Sequence, residues 1–337
     1  MALNKVFFID FSNLHKLSNN FAKMPSNPEI SVVIPVYNEE MNIVKLYNRL
    51  CEALDKANIQ WELIYVNDGS KDRSLPILKG LAEENNRVKY IDLSRNFGHQ
   101  LAISAGLENA KGEWIVIMDG DGQDPPELIP ELLQKAKDGF EVVYAKRRKR
   151  DGENFLKKLT ARLFYRILAK ITNIEIPVDT GDFRIIHRKI QRILKQMPEQ
   201  HKYIRGQISW IGFNQTFLEY DRAERMGGAT KFTYRKMMRF ALDGISSFST
   251  WPLKVATITG FIVSGLAFAL IVYSLYQKFF GTTEPGWTSL HISVLFIGGI
   301  QLIGIGILGE YLGRVSENVK GRPHYIIRDS NLENEAG

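Results

Sequence analysis

From Ile30 onward, short apolar runs alternate with stretches of helical spacing. "ISVVIPVY" is apolar and β-branched, and residues 42–57 then repeat apolar positions with the period of a helix. "WELIYVND" leads into a helix over 72–85. "VKYIDLS" leads into a helix over 99–110, with Gly112 as its cap, and "EWIVIMD" gives a fourth strand. Strands apolar almost throughout, alternating with helices, predict a parallel sheet covered on both faces. Ligands of such sheets bind beyond the carboxyl ends of the strands. Polar residues gather there: Tyr37, Asn38 and Glu39 after the first strand, Asn67 and Asp68 after the second, Ser94, Arg95 and Asn96 after the third, and Asp119, Asp121 and Gln123 after the fourth.

After residue 250 the pattern changes. Residues 255–276 and 285–309 contain no Asp, Glu, Lys or Arg. At ~1.5 Å per residue either run is long enough to cross a hydrocarbon core of ~30 Å. Two transmembrane helices over about 253–276 and 288–309, within 251–313, are therefore expected. Two buried core helices are the alternative, and runs this long exceed ordinary globular helices. Arg222, Arg225, Lys231, Arg235, Lys236, Arg239 and Lys254 precede the hairpin, and Arg314, Lys320 and Arg322 follow it, whereas the connecting loop has only Lys278. The positive-inside rule places both termini in the cytoplasm, with 314–337 as a cytoplasmic tail. Residues 29–250 then form a cytoplasmic domain. Within it, 153–172 is amphipathic, with Leu156, Leu159, Leu163, Ile167 and Ile171 on one stripe and Lys157, Lys158, Arg162, Arg166 and Lys170 beside it. Such a helix either packs on the sheet with a solvated basic face or lies on lipid headgroups. Residues 1–28 lack the run and cleavage site of a signal peptide and read as an N-terminal extension.

Composition refines this. The chain has 337 residues, 45% hydrophobic and 24% charged, with net charge +7. The excess charge flanks the apolar runs, so it points to headgroups or phosphates rather than nucleic acid. The single Cys51 excludes an internal disulfide and is expected to pack in the first helix. No G-x-G-x-x-G turn follows the first strand and no P-loop lysine motif occurs, so the nicotinamide, flavin and P-loop signatures are missing.

The sharpest chemistry lies in "WIVIMDGDGQDPPEL", residues 114–128, where an apolar strand runs into three acids. Asp and Gly are turn formers. Asp119 and Asp121, with the carbonyl of Gln123, are also hard oxygen ligands suited to Mg²⁺ or Mn²⁺, and Gly120 and Gly122 permit close approach. A cation of this kind keeps positions for substrate phosphates. Calcium in an EF-hand is a poor alternative, with Asp124 and Pro130 where Gly and Glu belong, and zinc is poorer still, with no Cys or His nearby in the sequence. "KRRKR" at 146–150 is close in sequence and makes Arg147 a candidate phosphate contact.

"VVIPVYNEE", "VNDGSKDRS", "LSRNFGHQLAISAGLENAKGEWIVIMDGDGQDPPE" and "LGEYLGR" resemble the inverting family-2 glycosyltransferases. More narrowly they resemble polyprenyl-phosphate glycosyltransferases, which include dolichol-phosphate mannose synthases and bacterial enzymes that load glucose or aminoarabinose on undecaprenyl phosphate. The resemblance covers about Ile30 to Tyr325, and the two-span ending is similar to the bacterial glucosyltransferase branch. It implies an α/β fold: a Rossmann-like glycosyltransferase-A domain plus a C-terminal two-helix transmembrane hairpin. It also implies that Pro35, Tyr37, Glu39, Asp68 and Asp119 hold the nucleotide, and that Asp119, Asp121 and Gln123 hold the metal and donor diphosphate. Asp182, in "VDTGDFRIIHR", would stand near the reacting centre and join Asp121 as a catalytic residue. Arg205, with Arg225 and Lys231 in "ERMGGATKFTYRK", would contact phosphates. D-G-D-G replaces the commoner D-A-D-L and keeps the ligand spacing. A-T-K-F replaces a Ser-Lys-Tyr pattern and keeps only the lysine.

The expected reaction is transfer of a sugar, glucose from UDP-glucose foremost, to undecaprenyl phosphate at the bacterial plasma membrane. GDP-mannose and UDP-aminoarabinose are alternative donors. A phosphate acceptor is already ionised, so it needs positioning more than a strong base, which gives Asp182 an orienting or weak-base role. Small residues at Gly260/Ser264 and Gly309/Gly313 have a spacing that lets membrane helices approach, favouring a homo-oligomer. A processive synthase would call for Gln-x-x-Arg-Trp, and "QISW" at 207–210 lacks it. A nucleotide-sugar sensor would not need the intact acidic set.

Overall fold

The computed structural model describes residues 28–148, 180–200, 202–220, 251–280 and 286–332. The 153–172 stretch, Arg225, Lys231 and nearly all of the 1–28 extension lie outside these residues. Four strand–helix units open the fold: β1 (Ile30–Val36), α1 (Ile43–Lys56), β2 (Trp61–Asn67), α2 (Ser74–Glu84), β3 (Val88–Leu93), α3 (His99–Asn109), β4 (Trp114–Ile117) and α4 (Ile129–Lys137). The first four strands and first three helices expected from the sequence are present, each boundary within two residues. Then come β5 (Val142–Arg147), β6 (Thr180–His187), α5 (Arg188–Gln196), α6 (Ile204–Ile211) and β7 (Gln215–Tyr220).

Among the described residues the sheet has eight strands, in the order β7-β5-β6-β4-β1-β2-β3-β8, the last being Ile327–Ser330. Its centre, β4-β1-β2-β3, is parallel as expected. It is nevertheless a mixed sheet, because β6 runs antiparallel to both β4 and β5. Successive strand residues point to opposite faces. Val32, Ile34, Leu63 and Tyr65 pack with Leu46, Leu50, Leu78, Ile129 and Leu132 of α1, α2 and α4. Val33, Ile64 and Val66 pack with Ala102, Ile103, Ile190, Leu194, Ile204 and Ile208 of α3, α5 and α6. Both faces are thus dry, which is why the strands read as continuous apolar runs. Cys51 is half-buried against the first of these layers, as expected of a packing residue.

Gly112 is not a helix cap. Helix α3 ends at Asn109 and Ala110 is already extended. Glycine is needed at 112 because a Cβ there would lie 2.5 Å from Ser31 N, and the Gly112 amide donates to Ser31 Oγ at 2.7 Å.

The apolar runs form two helices, α7 (Trp251–Phe280, 30 residues) and α8 (Trp287–Val319, 33 residues). Both are long and apolar enough to cross a membrane. They are not core helices: Phe261 is 76% and Leu302 71% exposed. At ~1.5 Å per residue α8 is about 50 Å long, well beyond the ~30 Å thickness of a hydrocarbon core. The stretch after 314, expected to be a tail, continues α8 and then returns to the domain as β8 (Ile327–Ser330), antiparallel to β3 with Leu93 opposite Ile327. Asp329 ion-pairs with Lys79 at 2.6 Å and accepts from the Tyr90 hydroxyl, and Tyr325 donates to Glu108. Sequence reading missed this strand.

Candidate active site

The carboxyl ends of β1 to β4 and the start of β6 share one rim. Two loops on it are stitched together. Asn38 N donates to Ser70 Oγ, Lys71 N to Asn38 Oδ1, and Glu39 N to Ser74 Oγ, at 2.8–3.0 Å. This presents Tyr37, 38% exposed, just beyond the end of β1 that contains Pro35, while Asn42 donates to the Glu39 carboxylate at 2.7 Å. Asp68 is buried, and its carboxylate accepts from the amides of Phe97 (2.7 Å) and Gly98 (3.0 Å). In this structure it anchors the β3–α3 loop, and so sets the first residue of α3, His99.

His99 is the residue that sequence reading missed. Its Nε2 lies 3.0 Å from Asp182 Oδ2 and 3.5 Å from Asp119 Oδ1. Burial disfavours the charged imidazole, but the Asp182 hydrogen bond and the Asp119 charge outweigh it and raise the pKa to about 9. His99 is therefore the donor to Asp182. The signal available was a lone histidine directly after a polar strand exit, at a helix start.

Asp182, near the start of β6, also holds two guanidiniums. Arg205 Nε of α6 donates to Oδ1 at 2.8 Å and Arg184 Nη2 at 3.0 Å. Burial alone would raise its pKa, yet Arg205, His99 and Arg184 hold it well below the usual carboxylate range. Such a group stays ionised and is a poor base, which favours the orienting role. Arg184, also not anticipated, is fully buried, donates to the carbonyls of Gly181 and Asp182, and lies 5.2 Å from the Tyr144 ring.

Asp119 shows the opposite behaviour. Burial, with the like charges of Asp182, Asp124 and Asp121, overrides His99 and lifts its pKa to about 6. Its Oδ1 is buried and makes no hydrogen bond among the described residues. A shielded carboxylate with a spare lone pair and acidic neighbours suits a cation. His99, Asp119 and Asp182 each offer one ligand atom within 4.8 Å of the others. Asp182 is committed to two arginines, so of these three Asp119 is the ligand the chemistry favours. In the following loop, Gln123 N donates to Asp121 Oδ1 at 3.1 Å, Gly122 has a φ of +72° that only glycine adopts easily, and Arg49 donates to the Gly122 carbonyl at 3.4 Å. Arg147 ends β5, and its side chain is outside the described set.

Comparison with known proteins places this rim in context. The model of the family described as glycosyl transferase family 2 matches residues 31–194. The uncharacterized glycosyltransferase YkcC of Bacillus subtilis is 48% identical over 314 residues, 93% of this chain and 97% of that protein. A prophage bactoprenol glucosyl transferase homolog of Escherichia coli K12 is 42% identical, covering 89% of this chain and 98% of its own. The bactoprenol glucosyl transferase of Shigella phage SfII is 41% identical, covering 91% and 99%. Among solved structures, glucosyl-3-phosphoglycerate synthase from Mycobacterium tuberculosis with Mn²⁺, UDP and phosphoglyceric acid is 19% identical, covering 65% of this chain and 76% of that one, with a TM-score of 0.47.

Proposed function

The chain belongs to glycosyl transferase family 2, among the polyprenyl-phosphate glycosyltransferases, and from that premise we propose that it transfers glucose from UDP-glucose to undecaprenyl phosphate with inversion. In one displacement the acceptor phosphate oxygen forms a bond to the anomeric carbon as the bond from that carbon to the UDP oxygen breaks. UDP leaves with the electron pair. No proton has to be removed from an ionised phosphate acceptor.

The observation that supports this reading is the ion cluster about Asp182, kept ionised by Arg205 and Arg184 and joined by His99 to the cation-ready Asp119. Asp182 positions rather than deprotonates. Arg205 has a planar fork suited to phosphate as well as carboxylate. Pro35, Tyr37 and Glu39 line the nucleotide end, with Asp68 acting through the loop it holds. Asp119, Asp121 and Gln123 would hold Mg²⁺ or Mn²⁺, which would neutralise charge on the departing diphosphate. Arg147, Arg225 and Lys231 are assigned to phosphates of donor or acceptor. The two long helices anchor the domain at the bacterial plasma membrane, where the lipid phosphate lies.

The test is incubation of purified protein with undecaprenyl phosphate and a panel of radiolabelled nucleotide sugars, with Mg²⁺, Mn²⁺ or EDTA. Label from UDP-glucose should enter the lipid phase, vanish with EDTA and vanish in Asp121→Ala. Label from GDP-mannose or UDP-aminoarabinose alone would replace the donor. No transfer from any donor would refute the reading.

A further inference from the structure

The end of α8 touches the segment that leads into α6, the helix that carries Arg205. Gln200 N donates to Asn318 Oδ1 at 3.0 Å, and Gln200 Nε2 donates to the Arg322 carbonyl at 2.8 Å. Asn318 is in the last turn of α8 and Arg322 lies three residues beyond the helix. Gln200 belongs to the segment between α5 and α6. Helix α6 is fixed to the domain by other means. Tyr203, Ile204, Gln207 and Ile208 are buried, and Ile204 N donates to Gln100 Oε1 at 3.1 Å, beside His99. The geometry of Arg205 against Asp182 therefore does not depend on Gln200. What Gln200 adds is a tie between that rigid unit and the membrane helix.

The tie lies on the reactive side of the sheet. Ile327 stands opposite Leu93, the last residue of β3, and Ser94 N donates to the Ile326 carbonyl at 2.9 Å. The chain leaving α8 thus arrives at the rim that bears His99 and Asp182. An acceptor whose phosphate sits at the bilayer surface reaches Asp182 only if that rim is held at a fixed height and tilt. Strand β8 and the Tyr325–Glu108 bond hold the far end of the link after α8, and the two bonds of Gln200 hold its near end, at Asn318 and Arg322.

We propose that Gln200 and Asn318 form a positioning pair that sets the reaction centre against the membrane surface, so that it matters for a membrane-embedded acceptor and not for a soluble one. This rests on the polyprenyl-phosphate reading above. The full chain would be assayed in lipid nanodiscs with undecaprenyl phosphate and in detergent with a short, water-soluble prenyl phosphate. In Gln200→Ala/Asn318→Ala, loss of two hydrogen bonds should raise KM for the bilayer acceptor about tenfold, with KM and kcat for the soluble acceptor within about twofold. Asn318→Asp keeps the accepting oxygen and should behave as wild type. Equal losses with both acceptors, or no loss in nanodiscs, would overturn the pair's role. Wild-type protein that glycosylates neither acceptor would overturn the underlying reading and this inference with it.

Discussion

Asp182 carries more partners than any ordinary core carboxylate needs, and they differ in kind. Arg184 is buried beneath it, Arg205 comes from α6, and His99 comes from α3 on the other side of the rim. A charge-assisted hydrogen bond is worth ~1.5–3 kcal/mol, so His99→Ala should lower turnover roughly 10–100-fold if that contact persists in the transition state. His99→Gln, which keeps a donor, should recover part of it. Steady-state transfer rates decide, and near-native turnover in His99→Ala would leave the histidine a bystander. Arg184→Met should instead act on folding. It strips a buried carboxylate of one cation, a loss of ~3–5 kcal/mol for a broken buried pair, visible as a lowered Tm before any kinetic effect.

At the level of elements, the C-terminal strap has its own titratable group. Burial, aided by Lys202 and opposed by Glu108 and Glu199, lowers the His324 pKa below 6.5. A lowered histidine means the folded state holds the neutral ring, so its contribution is complete above pH 6.5 and lost as pH falls toward the folded value. Asp329, lowered by Lys79, titrates below 3.8 and adds nothing in that window. Exchange of the Ser94 amide, corrected for intrinsic rate, should quicken below about pH 6.5, and His324→Asn should flatten the trend. A flat wild-type profile would remove His324 from the strap's stability. The strap also marks where sequence reading stopped. Helices α1 to α3 were legible from their local period, and strands β1 to β4 from their short continuous apolar runs. "IRDS" is four residues with no apolar alternation, and becomes a strand only because the free edge of β3, over two hundred residues earlier, receives it. The acidic loop was legible as a turn rich in oxygen ligands. His99 was not, because its importance comes from Asp182, 83 residues later in the chain. Arg184 is only two residues from Asp182, but no local period shows that its buried guanidinium turns back onto that carboxylate.

For the whole molecule, charge asymmetry about the hairpin predicts a definite sidedness. In a Cys51→Ser background, Thr283→Cys between the two helices should react with an impermeant maleimide on intact cells. Glu317→Cys near the end of α8 should react only after permeabilisation. Reversed labelling would place the catalytic rim on the wrong side for a cytoplasmic sugar nucleotide.

Strand β8 also imposes an order of events on synthesis. The chain is made from its N-terminus, and domains fold as they emerge. Everything that forms the site is translated before α7, yet the strand that covers the outer edge of β3 is residues 327–330 of 337. Until the ribosome has finished both membrane helices, the catalytic domain carries a bare edge of unpaired N–H and C=O groups, the kind that recruits other chains. Maturation of the catalyst is thereby tied to completion of its own anchor. A chain that stalls or is cut within the hairpin is left with an open sheet, which exposes it to the cell's chaperones and proteases rather than leaving a loose, unanchored enzyme.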